Sequence, residues 1–302
     1  KINPLISALR GVIPFKVLFT GQHEHIAKFY HDYSLKIVNK GNRLDSIIAS
    51  IVDIDDEVFT DVEYAIVQGD TASTYAMAIA AFNRGIKVIH LEAGLRTYDM
   101  KNPFPEEAYR QMVSRISSIN FCATENNKEN LIREKCPGEN YVVGNTVLDN
   151  LIGTSTIYGH EVLVTMHRRE NHHLIKEWFT EINDIAKANK KLNFTIPIHP
   201  NPDVRKHKDL LTNVEVTQPL SYDQMIKKIS RCRFLISDSG GIQEESSFLN
   251  KKVIVCRKWT ERTESVGTHS IMCEYPKKLK SVFNFIKNNY MIDAPSPYGD
   301  GA

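Results

Sequence analysis

The sequence predicts an α/β fold made of two Rossmann-like, doubly wound domains that face each other across a cleft. Short apolar runs rich in β-branched residues alternate with longer helical patterns along the whole chain, which favours parallel sheets. The alternation falls into two series, separated by a stretch of Gly, Ser and Thr at residues 153–159. A length of 302 residues also suits two domains better than one.

The two series set the predicted domain limits. The N-terminal domain is predicted at residues 1–155, the second domain at 156–285, and a C-terminal segment at 286–302 is expected to return toward the first domain. The predicted strands of the first series are 15–20, 64–68, 87–91 and 119–123. The same series contains a predicted alanine-rich helix at 72–84. Those of the second series are 161–165, 194–198, 234–237 and 252–255. Because ligands of such sheets bind at the carboxyl ends of the strands, we expect the functional residues there.

Composition and charge exclude several classes of protein. Hydrophobic residues make up 42% of the chain, enough for a sizeable core, and a net charge of +2 argues against nucleic acid or an anionic membrane as the main partner. No apolar run approaches the length of a membrane span, and no signal-peptide pattern opens the chain. The five cysteines include no Cys-x-x-Cys pair and are typical of reduced thiols, which predicts a cytoplasmic protein without a metal site.

The segment Asp238–Glu245 follows a buried-strand pattern and opens into a helical one. The first N–H groups of a helix lack partners and lie at the positive end of its dipole, so this arrangement suits a phosphate. Gly240 and Gly241 let the backbone approach a ligand closely, and Ser239 can cap the helix or donate its hydroxyl. Glu245, one turn further, could reach a sugar hydroxyl. A capped helix after a buried strand is the alternative, and from this segment alone the two interpretations are equally favoured.

Polar residues also close other predicted strands. Asp70, Glu92 and His167 each follow a strand, and Glu106 precedes a helix. Carboxylates and a histidine at the rims of two sheets indicate acid–base chemistry across a cleft. Structural explanations stay open for each of them. Asp70 could cap a helix, and Glu92 could pair with Arg96 at a spacing of four. His167 could be a solvated surface residue, and Glu106 is an ordinary choice for the start of a helix.

Seven motifs, taken in order, resemble those of the non-hydrolysing UDP-N-acetylglucosamine 2-epimerase family. The resemblance runs over nearly the whole chain. It implies a fold like that of the GT-B glycosyltransferases, with the nucleotide sugar between two Rossmann-like domains, of which the second binds UDP. The motifs are Gln68-Gly69-Asp70-Thr71, His90-Leu91-Glu92-Ala93-Gly94-Leu95-Arg96-Thr97, Pro105-Glu106-Glu107-Ala108-Tyr109-Arg110, Gly144–Asp149, Thr165–Asn171, Asp238–Glu245 and Thr260-Glu261-Arg262.

The resemblance also implies the chemistry. Members of the family remove the proton from the carbon that bears the N-acetyl group, expel UDP to leave a glycal, and re-add both on the other face, without NAD, flavin or metal. The partners are therefore a UDP-sugar and UDP, and the family is usually homodimeric. The implied acid–base residues are Asp70, Glu92 and Glu106, with His167 near the diphosphate. The implied substrate-binding residues are Ser239, Gly240 and Gly241 for the phosphates, Glu245 for the ribose, Arg262 for the diphosphate or sugar, and Lys1 and Met225.

Several departures from the family pattern bear on the substrate. The chain begins at Lys1 as though cut after the usual Gly-Thr-Arg-Pro-Glu strand, and a final helix after residues 297–301 is missing, so we expect the full protein to be longer. The segments before Asp70 and between Asp149 and Glu161 are shorter than usual. Tyr109 replaces an asparagine near Glu106, which suggests altered sugar specificity, and Thr263 replaces a proline.

Four functions therefore remain in competition. The first is a UDP-N-acetylglucosamine 2-epimerase, which forms UDP-N-acetylmannosamine. The second acts on another UDP-2-acetamido sugar, such as a 6-deoxy-L-hexosamine. A hydrolysing epimerase is less favoured, because that group has Gly-Asp-Arg where this chain has Gly69-Asp70-Thr71. The last is a non-catalytic UDP-sugar-binding paralogue, which would not need Asp70, Glu92, Glu106 and His167 together.

Overall fold

The computed structural model describes residues 2–22 and 30–300 and divides into two compact units, Lys1–Thr146 and Val147–Ala302. Each unit contains parallel β-strands with α-helices between them. The sequence predicted the division after residue 155. In the structure the division comes after residue 146. It comes before the predicted position because Val147, Leu148 and Leu151 pack into the core of the second unit. Across the described ranges, no helix is both long and apolar enough to cross a membrane.

The first unit is built on a parallel sheet in the order β3-β4-β5-β6, with β1 and β2 paired separately in parallel. Its strands are β1 Leu18–Phe19, β2 Tyr33–Ser34, β3 Tyr64–Gln68, β4 Lys87–Ala93, β5 Ser117–Cys122 and β6 Glu139–Val142. Its helices are α1 Asn3–Leu9, α2 Arg43–Val52, α3 Ala72–Asn83, α4 Glu106–Ile116 and α5 Glu125–Arg133.

Helix α3 shows why the sequence folds locally as it does. Thr71 caps its start by accepting a hydrogen bond from the Thr74 N–H at 3.2 Å, and Gly85 follows its end with a φ of +72°. Its alanines Ala76, Ala78 and Ala80 are buried, because small side chains let the helix pack closely on its neighbours.

The second unit is built on a parallel sheet in the order β12-β11-β10-β7-β8-β9. Its strands are β7 Glu161–Thr165, β8 Asn193–Pro197, β9 Glu215–Thr217, β10 Phe234–Ser237, β11 Val253–Val255 and β12 Ser270–Met272. Its helices are α6 Ile175–Ala188, α7 Pro202–Arg205, α8 Tyr222–Arg231, α9 Gly240–Phe248 and α10 Leu279–Ile286. The chain runs outward from β7 in one direction and from β10 in the other. The switch point of a doubly wound sheet therefore lies at the carboxyl ends of β7 and β10.

Both faces of this second sheet are covered. Alternate residues of β7 enter different apolar clusters, Val162 and Val164 on one side and Leu163 on the other. Trp178 and Phe179 of α6 belong to the first cluster and are fully buried. Strands buried on both faces read as continuous apolar runs, which is why β7 and β10 were predicted at their observed limits. The α/β prediction is confirmed.

The predicted C-terminal segment contributes to the same unit. Tyr298 is 1% exposed and packs into the second apolar cluster. Its hydroxyl donates a hydrogen bond to the Arg262 carbonyl oxygen at 3.3 Å. Burial raises the pKa of Tyr298, so the phenol is neutral and acts as a donor.

Candidate active site

Asp70 lies on the turn that follows β3, directly after Gly69, whose φ is +73°. It does not cap the next helix, since Thr71 occupies that position. Its Oδ2 instead accepts a hydrogen bond from Nη2 of Arg110 on α4. The structure therefore excludes the capping explanation and places the Asp70 carboxylate at the carboxyl end of the sheet.

Glu92 lies near the end of β4 with a φ of +62°, in the left-handed region that favours glycine. The register with β5 shifts between Leu91 and Ala93, so Glu92 is the extra residue of an irregularity in the strand. A Cβ built on Gly69 would lie 3.7 Å from Glu92 Oε2, which brings this carboxylate to the turn that carries Asp70. Strained backbone that holds a polar side chain at a strand end is typical of functional sites.

Arg96, which the sequence suggested as a partner of Glu92, forms its ion pair with Glu134 instead. Arg96 is buried and makes a two-pronged ion pair with Glu134, with nitrogen–oxygen distances of 2.7 and 2.8 Å. Its Nη2 also donates to Ser114 Oγ at 3.0 Å. Arg96 thus ties the segment after β4 to α5 and α4.

Two adjacent carboxylates begin α4 and differ in surroundings. Glu106 is the first helical residue and half-buried. Glu107 is fully buried and accepts hydrogen bonds from the Thr97 N–H at 3.0 Å and the Tyr98 N–H at 3.1 Å. Glu107 therefore holds the segment after β4 in place, whereas Glu106 keeps a partly accessible carboxylate.

His90 supports the Asp70 turn from below. It is fully buried, and its Nε2 lies 2.8 Å from the Gly69 carbonyl oxygen. Burial lowers the pKa of His90 to about 4, although the Gly69 contact opposes this shift. The ring is therefore neutral near pH 7, and its Nε2–H donates to Gly69.

Tyr109, expected to affect sugar specificity, is 8% exposed. Its ring stacks on that of Tyr75, with centroids 5.1 Å apart and an interplanar angle of 8°. It belongs to an apolar cluster with Ile47 and Ile51 of α2. Tyr109 thus packs the helices of the first unit together.

In the second unit Asp238 organises the switch point. This buried carboxylate accepts hydrogen bonds from the His167 N–H at 3.1 Å, the Arg168 N–H at 2.9 Å and the Asn171 side-chain amide at 3.0 Å. Asn171 donates in addition to the Cys256 carbonyl oxygen at 2.9 Å. One carboxylate therefore fixes the loop after β7 against the turn after β10.

His167 lies at the end of β7, with Nδ1 3.5 Å from Asp238 Oδ1. Its ring stacks on His199, with centroids 5.5 Å apart. Burial lowers the pKa of His167, and the charge of Asp238 opposes this shift. The pKa of His199 is also lowered, by burial and by the neighbouring His167. His167 is only 34% exposed at its side chain, which disagrees with the interpretation as a solvated surface residue.

The glycine turn opens α9 as predicted. Ser239 is the N-cap residue, and its side chain makes no capping hydrogen bond within the described residues. A Cβ on Gly240 would lie 2.5 Å from Arg262 Nη1 and 3.3 Å from Arg168 Nη2, so any larger residue would require these guanidinium groups to shift. At Gly241 no described atom lies within 4 Å of such a Cβ, apart from its chain neighbours and the backbone of its own helix. The turn is therefore closed from behind by two guanidinium groups and open in front.

A chain of ion pairs lies behind this turn, buried except at Glu170, which is exposed. Arg262 pairs with Glu244 at 2.6 Å and with Glu261, and Arg257 pairs with Glu261 at 3.1 Å and with Glu170 at 2.7 Å. The chain joins three of the sequence motifs. It also shows that the Arg262 guanidinium, predicted to contact the ligand, is engaged by two carboxylates.

The remaining predicted ligand residues lie around α8 and α9. Glu245 is 7% exposed, and its carboxylate accepts a hydrogen bond from the Tyr222 hydroxyl. Burial and the neighbouring Glu245 both raise the pKa of Tyr222. Met225 is half-buried on α8 and packs against the second apolar cluster. Lys1 lies outside the described residues. Within residues 2–22 and 30–300, no cluster of His, Cys, Asp or Glu side chains could hold a metal ion.

The family model described as UDP-N-acetylglucosamine 2-epimerase matches residues 9–302. The chain belongs to this family. The resemblance inferred from the motifs is confirmed.

Relatives in the epimerase family align over the full length of the chain. The UDP-N-acetylglucosamine 2-epimerase of Salmonella borreze is 34% identical over 346 residues, covering 100% of this chain and 92% of that protein. The protein of the same name from Neisseria meningitidis is 35% identical over 344 residues, covering 97% and 92%. Because 346 aligned positions exceed the 302 residues of this chain, the Salmonella protein carries internal segments that this epimerase-family member lacks.

Solved structures of the family have the same fold. The UDP-GlcNAc 2-epimerase of Neisseria meningitidis, solved bound to UDP-GlcNAc, superposes with a TM-score of 0.89 and 34% identity, covering 100% of this chain and 93% of that one. The Methanocaldococcus jannaschii UDP-GlcNAc 2-epimerase, solved with UDP-GlcNAc and UDP, has a TM-score of 0.81 and 26% identity, covering 100% and 92%. The GT-B-like fold expected from the epimerase resemblance is confirmed.

Sequence reasoning missed four residues of this family member's site: His90, Glu107, Arg110 and Asp238. All four lie inside the quoted motifs and are buried. Helical spacing offered one signal, since Glu107, Arg110 and the buried Val113 follow one another at intervals of three along α4. For Asp238 the signal was its position directly after a wholly buried strand, where an ionised side chain needs several donors.

Proposed function

We infer that this protein is a UDP-N-acetylglucosamine 2-epimerase, which interconverts UDP-N-acetylglucosamine and UDP-N-acetylmannosamine. The observation that carries this inference is the full-length match to the epimerase family. The local geometry agrees with it, because the first unit gathers carboxylates at strand ends and the second presents a glycine turn at the start of a helix.

We assign the UDP half of the substrate to the second unit. The diphosphate would bind the first N–H groups of α9, with Ser239, Gly240 and Gly241 around it, since a helix start and an open glycine favour an anion. Glu245, held by Tyr222, would accept hydrogen bonds from the ribose hydroxyls. Arg262 would approach the diphosphate from behind Gly240, and Met225 would lie against the base.

We assign the proton transfers to Asp70, Glu92 and Glu106. One carboxylate takes the proton from carbon 2, the electron pair forms the carbon 1–carbon 2 double bond, and UDP leaves with the electrons of the carbon–oxygen bond. A carboxylic acid then returns a proton to the opposite face as UDP adds back. His167 would donate a hydrogen bond to the departing diphosphate, a role that suits a histidine held by Asp238.

Deuterium incorporation tests the reaction. Incubation of the protein with UDP-N-acetylglucosamine in heavy water is expected to place deuterium at carbon 2 of both sugars, read by mass spectrometry and NMR. Incorporation only with a 6-deoxy analogue would instead select the second substrate class. Release of UDP with a free sugar would indicate a hydrolysing enzyme. No incorporation with either sugar, despite UDP binding, would indicate a non-catalytic paralogue.

A homodimer and a cytoplasmic location complete the proposal. The homodimer follows from the family resemblance, and the cytoplasmic location follows from thiols without a disulfide pattern. Sedimentation measurements would test the first.

A further inference from the structure

Arg110 of α4 joins two carboxylates in the interior of the first unit. Its side chain is 4% exposed, with Nη2 on Asp70 Oδ2 and Nη1 3.3 Å from Glu107 Oε2. A guanidinium is planar and rigid, so the hydrogen bond to Asp70 together with the ion pair to Glu107 restricts its orientation.

The Glu107 end of this arrangement is itself immobilised. Glu107 accepts the N–H groups of Thr97 and Tyr98, and Gln111 Nε2 donates to it at 2.8 Å. Arg110 is therefore held by a carboxylate with several donors, while Asp70 stands on a turn that a glycine precedes. The Glu107 end, which several donors hold, therefore orients the guanidinium that contacts Asp70.

We propose that Arg110 is a positioning residue, which holds the Asp70 carboxylate in the orientation that proton transfer requires. The proposal rests on the epimerase function and on the role assigned to Asp70. Because Oδ2 accepts the hydrogen bond from Arg110, we assign the proton transfer to Oδ1. Arg110 therefore selects which oxygen of Asp70 takes part in proton transfer.

Arg110 and Glu107 also help to place the other two carboxylates, Glu92 and Glu106. Glu107 secures the segment that follows Glu92, and Glu106 begins the helix that carries Arg110. Three carboxylates on three elements thus share one buried support. Misplacement of a reacting group by about 1 Å can lower a rate by roughly 100-fold, so such a support affects turnover directly.

Substitutions of Arg110 test the proposal. In Arg110→Met we expect kcat for deuterium exchange at carbon 2 to fall roughly 100-fold, with UDP affinity changed by less than about threefold. Arg110→Lys keeps the charge but loses the two-ended contact, so we expect kcat to fall about 10-fold in a normally folded protein. Arg84→Met and Arg84→Lys are the matched controls, because Arg84 pairs with Asp56 at 2.6 Å elsewhere in the same unit.

A double-mutant cycle separates positioning from a purely structural role. If Arg110 acts through Asp70, adding Arg110→Met to Asp70→Asn should reduce the residual exchange by no more than about threefold. Losses that multiply would overturn the proposal, as would Arg110 variants with the kcat of the Arg84 controls. An inactive wild-type protein would instead reject the epimerase function, so the two failures are distinguishable.

Discussion

The left-handed backbone at Glu92 holds a carboxylate where glycine would be accommodated more easily. A non-glycine residue there costs roughly 1–2 kcal/mol, because its Cβ crowds the following carbonyl oxygen. The interactions of the surrounding strand hold Glu92 in this backbone conformation, and the conformation brings Glu92 Oε2 close to the Asp70 turn. The protein is thus less stable than it would be with relaxed backbone at residue 92, but the Glu92 carboxylate lies at the Asp70 turn.

Glycine and alanine at this position separate the two effects. We expect Glu92→Gly to have a free energy of unfolding about 1 kcal/mol higher than Glu92→Ala, since both lack the carboxylate and only alanine keeps the strain. Both should lose turnover while retaining UDP binding. Urea unfolding and the exchange assay measure the two quantities.

An exposed helical glutamate provides the control. At Glu129, within α5, the order should reverse, because glycine is roughly 1 kcal/mol less favourable than alanine inside a helix. An equal or higher stability for Glu92→Ala than for Glu92→Gly would contradict the assignment of strain.

At the scale of elements, two adjacent glycines start α9 in different surroundings. A Cβ on Gly240 would meet the guanidinium groups of Arg262 and Arg168, whereas a Cβ on Gly241 would meet no described atom beyond its chain neighbours and its own helix backbone. The packing of the protein therefore accounts for the first glycine, and the proposed phosphate contact would account for the second.

Alanine at each position distinguishes these roles. Gly240→Ala should destabilise the ligand-free protein by roughly 1–3 kcal/mol, because its methyl group overlaps a buried arginine held by two carboxylates. Gly241→Ala should leave the melting temperature unchanged or raise it, since alanine favours helix. It should weaken UDP binding about 10-fold or more by blocking the approach of the phosphate.

Calorimetric titration and thermal melts measure both outcomes. Wild-type UDP affinity in Gly241→Ala would remove the phosphate assignment from the start of α9. Unchanged stability in Gly240→Ala would mean that the arginines behind it can move aside.

Strands that carry a clear apolar run were predictable from the sequence, and short edge strands with exposed polar residues were not. Strands β3, β7 and β10 have the predicted limits because their apolar runs match their burial. Strands β6 and β9 were missed, since they are short, lie at sheet edges and carry exposed polar residues. The glycine turn was predictable from its spacing. The difference between Glu106 and Glu107 was not, because it depends on which side of α4 faces the interior.

At the scale of the whole molecule, burial lowers the pKa of several histidines, including His90, His167, His199 and His269. A histidine with a lowered pKa binds fewer protons when folded than when unfolded. Its contribution to stability is therefore present above the unfolded pKa of about 6.5 and is lost as the pH falls toward the folded value.

His90 should dominate this dependence in the first unit. Its pKa of about 4 lies some 2.5 units below the ordinary value, so stability should fall by roughly 3 kcal/mol between pH 7 and pH 4. In His90→Gln, whose amide can still donate to Gly69, the pH dependence should be weaker by about that amount. His173→Gln is the control, because His173 is exposed.

Hydrogen exchange of the β4 amides is the appropriate measurement. Trp178 and Trp259 are the only tryptophans and both belong to the second unit, so their fluorescence reports on that unit alone. An identical pH dependence in wild type and His90→Gln would rule out His90 as the source.

The ion pairs that run from exposed Glu170 through buried Arg257, Glu261 and Arg262 to Glu244 have a consequence for protein engineering. Transplanting only the Asp-Ser-Gly-Gly turn into another α/β scaffold would leave its glycines without the arginines that close the turn from behind. Installing Arg262 alone would bury a cation without its carboxylates, at a cost of several kcal/mol. The smallest portable unit that keeps the turn intact therefore comprises three separated segments of the chain, which have to be moved together.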